Sequence, residues 1–183
     1  MDPSELKEQA ELVSGCLRKD KAAQRKFYDR FAGVMYAICL RYTANIDDAK
    51  DVLQDGFIQT LQNLNKFGNQ GSLEGWIKKV FVNVALGKLR LDKKKFAEDD
   101  METAQHIGHE PLAESNITQK EILKHIQQLP VGCRTVFNLY VLEGYTHPQI
   151  AKELNINEGT SKSQLARARQ LLQNKLTRTW ETR

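Results

Sequence analysis

Apolar residues recur along this chain at intervals of three and four, and nowhere do they alternate with polar ones over the length of a strand. The pattern predicts an all-α protein. Residues 4–17 read as a short helix, with Ser4 as cap, Glu5 and Glu8 near its start and Leu6, Val13 and Leu17 toward a core. Asp20 caps a longer helix over 21–42, whose buried stripe is Phe27, Phe31, Val34, Met35, Ile38 and Tyr42. A third, over 45–64, gathers Ala49, Leu53, Phe57, Thr60, Leu61 and Leu64 on one side. The glycine-bearing loop 65–71 carries one aromatic, Phe67, and Ser72 then caps a fourth helix to about 90. That helix packs by Trp76, Ile77, Val80, Phe81 and Val84, and lines up Lys79, Asn83 and Arg90, with Leu86 among them, on another side.

The rhythm fails over residues 91–115, which are polar and poor in apolar anchors, and this stretch reads as a flexible tether. Helix resumes over 116–128, with Ile117, Ile122, Ile126 and then Leu129 inward, until Pro130 stops it. Residues 131–142 form the next helix, with Val136, Phe137, Tyr140 and Val141 inward, and Gly144 ends it.

Residues 144–172 are the stretch around which the chain is organised: two helices joined by a tight corner. Thr146 caps the first, Pro148 sits in its first turn, and Ile150, Ala151 and Leu154 give it an apolar face. Asn155 tolerates the left-handed conformation that a corner needs, and Asn157 caps the next helix. There Ser161, Leu165, Ala168 and Leu172 share one side, while Lys162, Ser163, Ala166, Arg167 and Gln170 share the opposite one. Small, polar and basic, the second face suits the major groove of DNA. Alone it would read as an ordinary solvated helix face; the preceding helix and corner favour a helix-turn-helix.

Charge sharpens this picture. The chain of 183 residues has a formal net charge of +4, too mild to indicate nucleic-acid binding by itself. Its distribution is more telling. Residues 1–90 carry 14 Lys+Arg against 11 acids, residues 91–118 carry 3 against 7, and residues 119–183 carry 10 against 5. Two basic halves thus flank an acidic middle, as expected for two nucleic-acid-facing modules on a linker. Cys16, Cys39 and Cys133 lie far apart without a CxxC pair, which points to buried thiols in a reducing cytoplasm. Residues 1–10 are acidic and lack the apolar run of a secretory signal, and no stretch is long enough to span a bilayer. A soluble, cytoplasmic protein with no membrane insertion is expected.

The third helix carries a second candidate feature. Asp47, Asp48, Asp51 and Asp55 gather on one face. Acids near a helix N-terminus complement its dipole, but Asp55 lies too far along for that, and like charges four residues apart repel. A basic partner, a plain solvated face and a metal site are the three readings. The last is the weakest, because no His or Cys joins the carboxylates. His106 and His109 in the acidic tether are expected to be solvated, so no metal site is assigned. On the fourth helix, a cationic, amide-bearing strip beside an aromatic loop can hold an unstacked base. No nucleophile–base pair or Gly-rich phosphate loop is present, so no catalysis and no cofactor are expected. A dimeric helix-turn-helix repressor is the nearest rival, but it needs neither the acidic strip nor the helix at 76–90.

Taken together, the sequence resembles the extracytoplasmic-function (ECF) class of bacterial RNA polymerase sigma factors. The carriers are DDAKDVLQDGFIQTLQNLNKF (47–67), GSLEGWIKKVFVNVALGKLR (71–90), LPVGCRTVFNLYVLEGYTHPQIAKEL (129–154) and NEGTSKSQLARARQLLQNKL (157–176). The resemblance implies two small helical domains, a region 2 domain at 1–91 and a region 4 domain at 116–183 ending in the helix-turn-helix, joined by an acidic linker at 92–115. It also implies a transcription initiation factor that binds core RNA polymerase and directs it to promoters. The helix at 47–64 would dock on the β′ clamp helices through Asp48, Asp51, Gln54 and Asp55, and the β flap would be a further polymerase contact. Phe67, Lys79, Asn83 and Arg90 would open the minus-ten element. Lys162, Ser163, Arg167 and Arg169 would read the minus-thirty-five element, although Arg169 falls nearer the packed side. An anti-sigma factor, often membrane-bound in the family, is a further implied partner. Two positions depart from the family pattern: its usual corner glycine is Asn155, and a usually apolar position in the second helix is Ser161, expected to loosen packing.

Overall fold

A computed structural model of the protein describes residues 3–68, 71–91 and 117–181, with side chains for 4–68, 71–90 and 121–175. The tether expected at 92–115 lies outside the described residues. Those residues are helical and contain no strand. The helices are α1 (Pro3–Leu17), α2 (Lys21–Tyr42), α3 (Ile46–Asn63), α4 (Leu73–Leu91), α5 (Ile117–Gln127), α6 (Val131–Phe137), α7 (His147–Leu154) and α8 (Glu158–Glu181). By contacts the chain divides into two units: Met1–Cys39 with Asp47–Gly87, and Leu40–Ile46 with Lys88–Arg183.

In the first unit the helix boundaries reflect local chemistry. Asp20 Oδ1 accepts the Ala22 and Ala23 N–H groups at 2.7 and 3.1 Å and so starts α2. Ser72 Oγ accepts from Gly75 N–H at 3.3 Å at the start of α4. After α3 the chain tightens into a 3-10 turn, Leu64–Lys66. The core is aromatic: Phe27 lies 4.9 Å from Phe31, and Phe57 meets Phe81 edge-on at 5.2 Å and 82°.

Several inward faces are turned from where periodicity put them. Leu6, Leu17 and Val34 stand 47%, 48% and 43% exposed, whereas Val13 is buried as expected, with Leu12 and Cys16 beside it on α1. The reason is close helix approach: a Cβ on Gly15 would lie 2.6 Å from that of Ala23, so α1 meets α2 along its glycine side. On α3 the buried line is Ala49, Val52, Gly56, Phe57 and Thr60, leaving Leu53 and Leu61 half-buried. Leu86 of α4 is fully buried rather than on the outward strip. The three cysteines are buried thiols, and burial pushes the Cys39 thiol up to about 12.

The second unit is built on α8. Leu129, Cys133 and Ala168 form a small core, with Phe137, Leu171 and Leu172 against it. Cys133 Sγ donates to Gln164 Oε1 at 2.8 Å. The helix expected at 131–142 does not stay α-helical: after Phe137 it widens into a π-helical turn, Asn138–Leu142, which Gly144 closes at φ 74°. Widening turns the side chains of this segment away from their α-helical bearings. Leu139 is fully buried, Tyr140 is half-buried, and Val141, expected inside, is 45% exposed. Ile122 of α5 likewise faces outward at 44%, while Ile126 and Leu129 are buried.

Candidate nucleic-acid interface

The helix-turn-helix forms as local chemistry dictates. Thr146 is extended at φ −81°, ψ 157°, and Gln149 Oε1 accepts from its N–H at 2.8 Å and its hydroxyl at 2.9 Å, starting α7. Asn155 ends that helix in the left-handed region at φ 54°, ψ 47°. The chain then returns through Ile156 N–H to Ala151 O at 3.1 Å. Asn157 Oδ1 accepts from Thr160 N–H at 2.7 Å, which starts α8. Ile150, Ser161, Leu165 and Ala168 are the buried contacts between the two helices and the rest of the unit.

On the opposite side of α8, Lys162, Ser163 and Arg167 are all exposed. Lys162 Nζ lies 2.7 Å from Glu158 Oε1, one turn back. The hydrogen bond and charge of Lys162 hold the Glu158 carboxyl below the usual carboxylate range. Ser163 Oγ donates to Thr160 O at 3.0 Å, a bond that an approaching acceptor can replace. Arg169 is also exposed, but its guanidinium is turned over the Tyr140 ring at 5.8 Å.

In the first unit, Lys79 and Asn83 are exposed one turn apart on α4. Phe67 is not an open platform. It is 4% exposed and its ring packs at 5.7 Å and 55° against Trp76. Arg90, which falls in the second unit, donates to Glu153 O at 2.9 Å and pairs with its carboxylate at 2.7 Å. On α3, Asp51, Gln54 and Asp55 are exposed and Asp48 is half-buried, so the acidic strip is a real surface feature. Among the described residues no three His, Cys, Asp or Glu side chains come together as a metal site, and no helix is long and apolar enough to cross a membrane.

An all-α chain carrying a helix-turn-helix with an outward basic face, and a second helical unit with an acidic strip, is the class of protein that these observations define. Comparison with known proteins narrows it. Residues 27–95 match the family model of Sigma-70 region 2, and residues 119–172 match that of Sigma-70, region 4. The chain belongs to the ECF group of RNA polymerase sigma factors. It is 24% identical to the ECF RNA polymerase sigma-E factor of Haemophilus influenzae, over 94% of this chain and 96% of the relative. It is 26% identical to the ECF RNA polymerase sigma factor SigW of Bacillus subtilis, over 86% and 90%. Among solved structures it shares its fold with the sigma factor RpoE of Bartonella quintana, crystallised with the anti-sigma factor NepR. There the TM-score is 0.53 and the identity 20%, over 84% of this chain and 96% of that one. Membership makes this protein a transcription initiation factor of the kind that directs RNA polymerase to promoters.

Proposed function

We propose that the protein recognises a promoter at two places while bound to core RNA polymerase. The observation that carries this reading is the outward face of α8, where Lys162, Ser163 and Arg167 stand exposed beyond a corner built on left-handed Asn155. That helix enters the major groove at the minus-thirty-five element, with Arg167 and Lys162 reaching phosphates or base edges. Arg169 braces Tyr140 and contributes less to the groove. At the minus-ten element Lys79 and Asn83 of α4 receive the melted strand. Phe67, packed on Trp76, supports the preceding loop and meets a base only if that loop shifts. Arg90 reaches DNA only by releasing Glu153.

Asp48, Asp51, Gln54 and Asp55 dock on the polymerase β′ clamp helices, and the second domain engages the β flap. The working modules are residues 1–91 and 116–183, with 92–115 as tether, so that two weak contacts act together through effective concentration. An anti-sigma factor is the expected antagonist, as the Bartonella quintana relative has one. The protein itself performs no catalysis.

The test is transcription by purified core polymerase on fragmented genomic DNA, with and without the protein. Arg167→Ala should abolish promoter choice and keep polymerase binding, and Asp51→Lys with Asp55→Lys should do the reverse. Transcripts that never change on adding the protein would refute the reading, and equal loss of both activities in either variant would refute the residue assignment.

A further inference from the structure

Ser161 is a polar residue on the packed line of α8, level with Leu165 and Ala168, and it is 0% exposed. A hydroxyl buried there is costly unless it is partnered. Its partner is His147, the first residue of α7: Ser161 Oγ and His147 Nδ1 are hydrogen-bonded at 2.9 Å. The imidazole in turn stacks on Tyr140 of the π-helical turn, with ring centroids 4.6 Å apart at 27°. Arg169, two turns further along α8, reaches back over that same ring at 5.8 Å. Residues 161 and 169 of one helix are therefore tied, through polar and aromatic contacts, to a single side chain of the element that precedes the helix-turn-helix. The packing that an apolar residue would give at 161 is replaced by a directional joint.

The joint sits where direction matters. Successive residues of a helix are turned by about 100°, so the azimuth of Ser161 sets those of its neighbours Lys162 and Ser163 and of Arg167. Apolar contacts leave a helix some freedom to roll, whereas a hydrogen bond weakens steeply away from its preferred angle. We propose that His147 is a positioning residue for DNA reading: by holding the buried Ser161 hydroxyl it fixes the roll of α8, and so decides which base edges Lys162, Ser163 and Arg167 meet. This rests on the reading of α8 as the promoter-recognition helix, and extends it from the groups that touch DNA to the pair that aims them.

The experiment uses the full chain with core polymerase. The wild-type complex first selects duplexes from a pool with a randomised upstream element. Binding is then measured to the selected duplex and to single-base-substituted versions of it. His147→Ala and Ser161→Ala should each lower the discrimination between these duplexes by about five- to tenfold, the scale of one lost hydrogen bond and its orphaned partner. The double variant should lose no more than either single one, because both remove the same contact. His147→Asn, which keeps a polar atom near the Nδ1 position, should recover part of the loss. Unchanged discrimination in both single variants, even with lowered thermal stability, overturns the inference, as do additive losses. If the alanine variants fail to fold, the apolar pair His147→Phe with Ser161→Val should restore folding and still discriminate poorly; wild-type discrimination in that pair overturns the inference. A wild-type complex that selects no duplex overturns the promoter reading itself, and this inference with it.

Discussion

Replacing Gly56 with alanine perturbs the packing directly beneath the acidic strip. Gly56 is buried on α3, and a Cβ built there lies 2.6 Å from both Cδ1 and Cζ of Phe81. Ordinary contact begins near 3.4 Å, so the ring must retreat by most of an ångström. It has nowhere to go: Phe81 is 0% exposed and held edge-on by Phe57, which itself packs on Tyr28 at 4.7 Å. Overpacking of this kind costs about 1–3 kcal/mol, and the locked rings argue for the upper part of that range. Against it stands the gain in helix propensity of alanine over glycine, about 1 kcal/mol. The difference is a net loss of about 1–2 kcal/mol, or a midpoint lowered by about 2–8 °C for a chain of this size. Thermal unfolding of the full chain, monitored by far-ultraviolet circular dichroism, measures it. Adding Phe81→Leu should make room for the new methyl, so the double variant should be more stable than the two single losses imply, by about 0.5 kcal/mol or more. A midpoint for Gly56→Ala equal to or above wild type would refute the reasoning, since propensity would then have outweighed the clash.

At the corner, Asn155→Gly should leave stability unchanged or slightly raise it, while Asn155→Val should cost about 1–2 kcal/mol, because a β-branched residue resists the left-handed region; equal midpoints for the two variants would show that the corner is not under that constraint. Removing the charge that holds Lys162, by Glu158→Gln, should tighten DNA binding at low salt by about two- to fivefold and lessen as salt rises; unchanged affinity in a fluorescence titration would mean that Lys162 does not reach phosphate. The second unit should also respond to acid. Burial, then Lys175, lowers His125 below its ordinary value of 6.5, and its buried Nδ1 has no hydrogen-bond partner among the described residues. With the folded value below the unfolded one, the stability that neutral His125 contributes is complete above about pH 6.5 and is lost as pH falls through the lower folded value. His125→Gln should therefore flatten the fall in urea stability as pH drops below about 6.5 relative to wild type, and parallel profiles would refute it.

The sequence by itself determined the helices and the corner, because both are local. Periodicity of three and four marks a buried helical face whatever lies across from it, and Asp20, Ser72, Asn155 and Asn157 act on backbone groups within four residues of themselves. The outward placement of Lys162, Ser163 and Arg167 was legible for the same reason, as the side of α8 opposite Leu165 and Ala168. What only the tertiary structure decided is how each face is turned and which polar groups meet. Leu6 and Val141 have the hydrophobicity of core residues and lie outside, because close approach at Gly15 and the widened turn after Phe137 set the rotation. Glycine carries no hydrophobic signal, so a pattern reading passes over it. Phe67, suited by type to stack on a base, is spent on Trp76. Ser161 has the look of a packing defect in the pattern, yet its hydroxyl is bonded to His147, fourteen residues away. Such pairings depend on the distance between elements, and a linear pattern holds no record of that distance.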